Sequence, residues 1–274
     1  MQSAAAVHVT PVLDRTELCA GVILLGLHAP ELARVTRPGH FVMVSPPNGE
    51  RAAVALGIYE AQGERISVMF VVSGSRTHEL AHVVPGQSLT LLGPLGNGFD
   101  LSMEPRDVAI VAGGVGIASV LLPALALLER GARVRLFYGA RTSALLVDAA
   151  KFAAAGCEVV TATDDGSAGH HGFVTAILET SPPAELILAC GPSPMLRAVA
   201  RTAHKLGVRA QLSLEETFAC GVGACWGCVV PLDRASAQAP RFPNVQPDGN
   251  RHGGPVYARI CKEGPVFWAH ELRW

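Results

Sequence analysis

Residues 108–128 read Val-Ala-Ile-Val-Ala-Gly-Gly-Val-Gly-Ile-Ala-Ser-Val-Leu-Leu-Pro-Ala-Leu-Ala-Leu-Leu, 21 positions without a charge. The run is long enough to cross a bilayer. Its glycines at 113, 114 and 116 argue otherwise, because glycine clusters punctuate secondary structure. A buried strand at 107–112, a glycine turn and a buried helix at 117–130 fit the same letters, since parallel strands covered on both faces are apolar throughout. The stretch is therefore read as the opening of a parallel α/β unit, with no membrane span.

The same alternation continues downstream. Strand-like runs at 133–138, 158–162 and 185–189 alternate with helical runs at 145–155, 173–179 and 194–206. This predicts a doubly wound parallel sheet. Upstream, short β-branched runs at 7–10, 21–27, 41–44, 66–72 and 88–92 are separated by Pro-Gly, Asn-Gly and Gln-Gly pairs. That spacing predicts an antiparallel barrel or sandwich. Beyond 212 the chain is cysteine-rich, and 233–255 reads as a long loop. The expected units are 1–103, 104–212 and 213–274.

Composition narrows the function. With 16% charged residues and a net charge of -1, the chain is too apolar for disorder. It also lacks the basic excess that would neutralise nucleic-acid phosphates. Residues 1–10 show neither a basic segment nor an apolar run typical of export signals. A cytoplasmic location is expected, and the odd count of seven cysteines points to metal-binding or catalytic thiols in a reducing compartment.

The most specific motif is Cys220-Gly-Val-Gly-Ala-Cys225-Trp-Gly-Cys228, followed by Cys261. C-x4-C-x2-C…C is the plant-type spacing for a [2Fe-2S] cluster. The small residues between the thiols let backbone amides approach the sulfurs. Zinc is the competitor, but structural zinc sites usually bring two separate short-spaced ligand pairs. Cys19 and Cys157 read as small buried hydrophobes. Cys190 opens Cys190-Gly191-Pro192 at a strand end, where α/β sheets bind ligands.

Gly113, Gly114 and Gly116 form a turn that can bring amides to a pyrophosphate, although tight packing also requires glycine there. The spacing is not G-x-G-x-x-G. Thr163-Asp164-Asp165-Gly166 follows another strand end and suits either a ribose contact or a turn. His170-His171 is assigned no role.

Together these pieces resemble a known family. They include Pro38-Gly39-His40-Phe41-Val42, Gly93-Pro94-Leu95-Gly96-Asn97-Gly98-Phe99, Tyr138-Gly139-Ala140-Arg141, Ser213-Leu214-Glu215-Glu216 and Cys261-Lys262-Glu263-Gly264-Pro265-Val266-Phe267. With the motifs above, they resemble the electron-transfer subunits of class 1B dihydroorotate dehydrogenase, within the ferredoxin–NADP reductase superfamily. The resemblance implies an FAD-binding β-barrel, an NAD-binding α/β domain and a small C-terminal [2Fe-2S] domain. It implies an NAD-dependent iron–sulfur flavoprotein oxidoreductase subunit that relays electrons between NAD(H), FAD and the cluster. The relay would lead to or from an FMN-containing catalytic dehydrogenase subunit in a heterotetramer. It places cluster ligands at Cys220, Cys225, Cys228 and Cys261. NAD contacts fall at Gly113, Gly114, Gly116, Tyr138, Asp164, Asp165, Cys190, Gly191 and Pro192.

The flavin motifs depart from that pattern. The positions matching the family's Arg-Pro-x-Ser are Val54, Ala55, Leu56 and Gly57. Those matching its Tyr-Arg pair are Phe70 and Val71, and its Gly-x-Gly-Thr appears as Gly74-Ser75-Arg76-Thr77. Two cations and a hydroxyl are thus missing, and Arg76 is new. Arg76 or Arg51 is expected to restore a phosphate contact. The departures also admit a relay serving a ferredoxin:NADP oxidoreductase or hydrogenase partner, or a paralogue that has lost FAD. The weakly charged surface predicts an apolar interface. Its candidate anchors are Trp226 and Phe267-Trp268, with core packing as the alternative. The loop residues Arg241, Arg251 and His252 suit either a partner contact or a solvated loop.

Overall fold

The computed structural model describes residues 5–47, 52–242 and 256–274; Arg51, Arg251 and His252 lie outside them. Strands β1 (Ala6–Cys19), β2 (Val22–His28), β3 (Phe41–Ser45), β4 (Val54–Gln62), β5 (Arg65–Val71) and β6 (Ser88–Leu95) close into an antiparallel barrel in the order β1-β2-β5-β4-β3-β6. Alternate side chains such as Leu25, Leu27, Val42, Val44, Ile66 and Leu91 fill its interior. Burying each such side chain stabilises by about 1.5–3 kcal/mol. Two short helices, α1 (Pro30–Val35) and α2 (Ser75–Leu80), add Leu32 and Leu80 to this core.

Two barrel features escape the sequence pattern. β1 is far longer than the expected 7–10 because register slips after Val12 and Glu17 bend it to pair with both β2 and β6. β4 was not expected as a strand, since Ala55, Gly57 and Ala61 dilute its β-propensity. Its pairing with β3 and β5 makes it one.

The second layer is a sheet built from β7 (Asp107–Gly113), β8 (Arg133–Ala140), β9 (Glu158–Thr163), β10 (His170–His171), β11 (Leu186–Cys190) and β12 (Arg209–Ser213). These strands run parallel to their neighbours. Helices α3 (Leu121–Glu129) and α4 (Ala149–Ala155) pack Ala124, Leu127 and Phe152 on one face. Helices α5 (Val174–Thr180) and α6 (Ser193–Leu206) pack Val174, Leu178, Leu196 and Val199 on the other. Strand order reverses between β7 and β11, which opens a crevice beyond their carboxyl ends.

Two expected helices are shorter than the pattern suggests. The run at 117–130 begins as a 3-10 segment over Gly114–Ser119, and α3 starts at Leu121. The run at 145–155 breaks at Asp148, which adopts φ 58 before α4. There Tyr59 of β4 donates its hydroxyl to Asp148 Oδ2 at 2.5 Å, and Lys151 pairs with Glu60 at 2.6 Å. The break therefore serves a joint between barrel and sheet.

The C-terminal portion contributes the antiparallel pair β13 (Val229–Leu232) and β14 (Val256–Arg259), then α7 (Ile260–Glu263) and β15 (Val266–Trp268). β15 pairs antiparallel with β12 and becomes the sheet's edge, so a boundary at 213 passes through one sheet. Phe267 is fully buried and Trp268 is 7% exposed. The sheet uses these rings as core, so of the two readings the sequence left open, anchor or core, the structure selects core. Among the described residues no helix is long and apolar enough to cross a membrane.

Candidate functional site

The glycine turn after β7 sits where the strand order reverses. Gly116 lies so close to β11 that a Cβ there would be 2.4 Å from Cys190 O. Gly113 faces the Met195 sulfur and the Pro192 ring, and a Cβ on Gly191, at φ +153, would lie 3.0 Å from Gly113 Cα. Two strand-end loops thus pack backbone on backbone at the head of α6, whose cap residue Pro192 makes no side-chain cap. Gly114, at φ +53, meets open space. The amides of this turn stay close to the crevice because no side chain intervenes.

The acidic pair divides its work. Asp165 Oδ1 accepts from Ser167 N at 3.0 Å and Ser167 Oγ at 2.6 Å. Ser167 Oγ in turn accepts from Ser143 N at 2.7 Å, tying the β9 turn to the β8 turn. The Ser167 hydroxyl holds the Asp165 carboxyl below its ordinary value. Asp164 is exposed, and its N–H donates to Ala140 O. Tyr138 is fully buried and donates its hydroxyl to Leu145 O at 3.1 Å, inside the fold and not toward the crevice. Burial pushes that hydroxyl's pKa up. His170 and His171 are a two-residue strand paired to Ala162 and Thr163.

A cleft of about 270 Å³ opens beside the turn. One wall is the barrel (Val54, Ala55, Leu56, Gly57), another is the turn (Val115, Ala118, Ser119), and the third is 213–218. Phe70 points into the barrel core while Val71 is exposed. A Cβ at Gly57 would lie 2.9 Å from Ser119 Oγ, so the turn's hydroxyl fills the space that β4 leaves. Behind it, buried Cys190 contacts Ser119 and Ser213 and donates to Glu215 Oε1 at 3.5 Å. Glu215 lines the cleft, and desolvation by the surrounding walls raises its carboxyl's pKa.

The cleft extends past Ser73, Gly74, Ser75, Arg76 and Thr77. Arg76 is the one cation among the described residues lining it. Its Nη1 donates to Ala53 O at 3.1 Å. Thr77 Oγ1 accepts from Ser73 N and Gly74 N at 3.0 and 3.1 Å, which shapes the turn into α2.

Phe218 leads from this cleft into the cysteine loop and packs on Phe41 with centroids 5.1 Å apart. The sulfurs lie as two pairs. Cys225 hydrogen-bonds Cys220, and Cys261 hydrogen-bonds Cys228. Among the described residues no three His, Cys, Asp or Glu side chains gather around one point as a single ion requires. Backbone amides are aimed at the sulfurs: Ala224 N and Cys225 N to Cys220 Sγ at 3.3 and 3.5 Å, and Cys261 N to Cys228 Sγ at 3.4 Å. Burial works against a Cys220 thiolate, but the amides of Cys225, Val222 and Ala224 outweigh it and hold its pKa down to about 6. Burial and the neighbouring Cys228 push Cys261 up to about 12.

Three residues around this loop were missed by sequence reasoning. Arg259 and Glu263 form an ion pair four residues apart, a spacing visible in the letters. Asn97 donates to Lys262 O and Glu263 O across 165 and 166 positions, which no local signal reveals. Arg241, read from the sequence as either a partner contact or a solvated loop residue, is half-buried and bound within the fold. It donates to Val266 O at 2.9 Å, pairs with Glu271 at 3.2 Å and lies over the Phe242 and Phe267 rings. Cys157 is buried as expected, while Cys19 is half-buried.

Residues 110–201 match the model of the oxidoreductase NAD-binding domain. The chain is 35% identical over 236 residues to the dihydroorotate dehydrogenase B (NAD(+)) electron transfer subunit of Caldanaerobacter subterraneus, covering 86% of each chain. It is 36% identical over 244 residues to the subunit of the same name from Geobacillus kaustophilus, again 86% of each. The chain belongs to the family of dihydroorotate dehydrogenase B electron transfer subunits. Among solved structures, this family member resembles a chain of an NADH-dependent reduced ferredoxin-NADP oxidoreductase, with TM-score 0.81, 26% identity and coverage of 97% and 90%. A ferredoxin reductase of carbazole 1,9a-dioxygenase shares the fold at TM-score 0.65 and 23% identity, covering 74% of this chain and 67% of that one. The expected barrel and doubly wound sheet are thus the architecture of the ferredoxin reductases.

Proposed function

We propose that this subunit relays electrons between NAD(H) and a separate FMN-containing dihydroorotate dehydrogenase subunit, through FAD in its cleft and a [2Fe-2S] cluster on its four cysteines. One observation carries the reading. A single cleft is walled by the nucleotide turn, the barrel strands and the lead into the cysteine loop, so the three sites adjoin. Bound there, flavin and cluster supply the conversion between two-electron hydride chemistry and one-electron transfer. The chain itself supplies position and electrostatics.

The amides of Gly113, Gly114 and Gly116, with Gly191 and Pro192 at the head of α6, are assigned to a dinucleotide's pyrophosphate. Exposed Asp164 is assigned to a ribose hydroxyl, with Asp165 shaping the turn. The apolar wall at 54–57 and Val71 suits a flat ring, and Arg76, released from Ala53 O, is the diphosphate cation. Two thiol pairs suit a two-iron cluster, two sulfurs to each iron, better than one four-coordinate zinc. Val222, Trp226, Val229 and Tyr257 are exposed apolar side chains on and beside the cysteine loop. They form the face assigned to the catalytic subunit, in a cytoplasmic heterotetramer.

The purified protein is expected to show flavin and iron–sulfur absorbance, with iron and sulfide by analysis. Co-expression with an FMN subunit is expected to yield a complex that reduces NAD with dihydroorotate. A colourless protein overturns the relay. Arg76→Ala is expected to lower flavin content, and unchanged content would reject its phosphate role. A second reading, a relay for a ferredoxin- or hydrogenase-linked partner, is supported by the likeness across 97% of the chain to the ferredoxin-NADP oxidoreductase. Replacing dihydroorotate by reduced ferredoxin in the same assay separates the two.

A further inference from the structure

We propose that Arg259 is a positioning residue that locks the cysteine loop onto the helix carrying the last thiol, and that its charge favours electron uptake there. The proposal rests on the cluster reading. Residues 220–228 form no helix, and a strand begins only at Val229. Gly221, Gly223 and Trp226 hold left-handed backbone at φ 69, 82 and 56. Such a loop needs an external brace, and Arg259 provides it. Its Nη1 donates to Gly223 O at 2.8 Å, and its guanidinium lies 4.6 Å from the Trp226 ring centroid.

The brace is itself fixed from behind. Glu263 accepts from Arg259 Nε at 3.1 Å, Nη2 at 2.5 Å and the backbone N at 2.7 Å. Both side chains are nearly inaccessible, at 13% and 5%. The barrel grips the same helix, because Asn97 N donates to Gly264 O at 2.6 Å and Asn97 Nδ2 to Glu263 O at 3.0 Å. One rigid path therefore runs from barrel to α7 to Arg259 to the loop.

The pair is also polarised. The guanidinium faces Gly223 and Trp226, while the carboxylate sits behind it on α7. Two ferric ions, two sulfides and four thiolates carry net negative charge, which grows by one on reduction. A fixed cation on the loop side offsets that charge, and such neighbours set cluster potentials. Lysine keeps the charge but cannot fork between Gly223 O and Glu263 or stack flat on Trp226.

The test is a dithionite titration followed by electron paramagnetic resonance, together with bleaching of the visible absorbance by a chelator. Arg259→Gln is expected to shift the midpoint potential negative and to bleach about ten-fold faster, the scale of a lost supporting contact. Arg259→Lys is expected to hold a near-wild-type potential while bleaching faster. Should Arg259→Gln fail to fold, judged by circular dichroism, Glu263→Gln decides, with a shift to positive potential expected. An iron-loaded wild type whose variants keep its potential and bleaching rate overturns this proposal alone. A wild type that takes up no iron and sulfide overturns the cluster reading with it.

Discussion

The turn at 113–116 and the loop at 220–228 are both rich in glycine, but they need it for different reasons. At Gly116 the backbone has an ordinary conformation, and what forbids a side chain is the Cys190 carbonyl, whose oxygen would lie 2.4 Å from an added Cβ. At Gly223 the backbone itself is left-handed, at φ +82, and the first atom an added Cβ would meet is the Lys262 Cβ, at 2.8 Å. The turn is shaped by two strands of one sheet that cannot separate. The loop is shaped by side chains reaching in from α7 and the barrel. Strand-end geometry can thus be inherited from a sheet, whereas a loop without regular structure must be braced residue by residue.

The sharpest break of that comparison comes from Gly116→Ala. Neither strand end can yield, so the substitution is expected to destabilise by about 3 kcal/mol. Urea unfolding measures it, and a cost below that of Gly223→Ala would refute the distinction. Next comes the barrel support of the loop side. His40 Nδ1 accepts from Arg37 N at 3.0 Å. Burial, then the Arg37 charge, lowers the imidazole pKa from 6.5 to about 4. A lowered histidine keeps its neutral form in the folded state, so its stabilisation is present above pH 6.5 and is lost as pH falls toward 4. The full loss is on the order of 3 kcal/mol. Denaturation at pH 7 and pH 4.5 should show this slope, and His40→Gln should flatten it.

A smaller effect is expected at Gly223→Ala, where left-handed backbone costs about 1–2 kcal/mol. Gly227→Ala meets only the Cys225 sulfur at 3.5 Å and should cost less than about 0.5 kcal/mol. If the two cost the same, backbone conformation is not what the loop's glycines supply. Trp226→Ala, at 50% exposure, should change stability by less than about 0.5 kcal/mol. It should still weaken association with the catalytic subunit in a pull-down. Undiminished association would remove Trp226 from the partner face.

Much of this was legible in the letters. The switch from short β-branched runs to strand–helix alternation near 104 announced barrel and sheet. The C-x4-C-x2-C spacing announced the thiols. Less legible was anything whose cause lies across the chain. β4 is a strand because β3 and β5 flank it, not because 54–62 prefers to be one. Phe267 and Trp268 read equally as interface anchors or as core, and pairing with β12, which buries them, decides for core. Arg241 sits in a segment that reads as loop, yet it holds Glu271 and Val266 from inside.

The sequence by itself determined the order of elements and the chemistry on offer, because hydrophobic period and ligand spacing are local properties. Only the tertiary structure decided how the parts meet. It turned an uncharged stretch of 21 residues into β7, a turn and α3, and laid that turn against β11. It set Ser119 where Gly57 leaves room and put Arg259 under Trp226. These outcomes depend on close approach between residues far apart in the chain, and backbone contact distances of this kind exist only once the chain has folded.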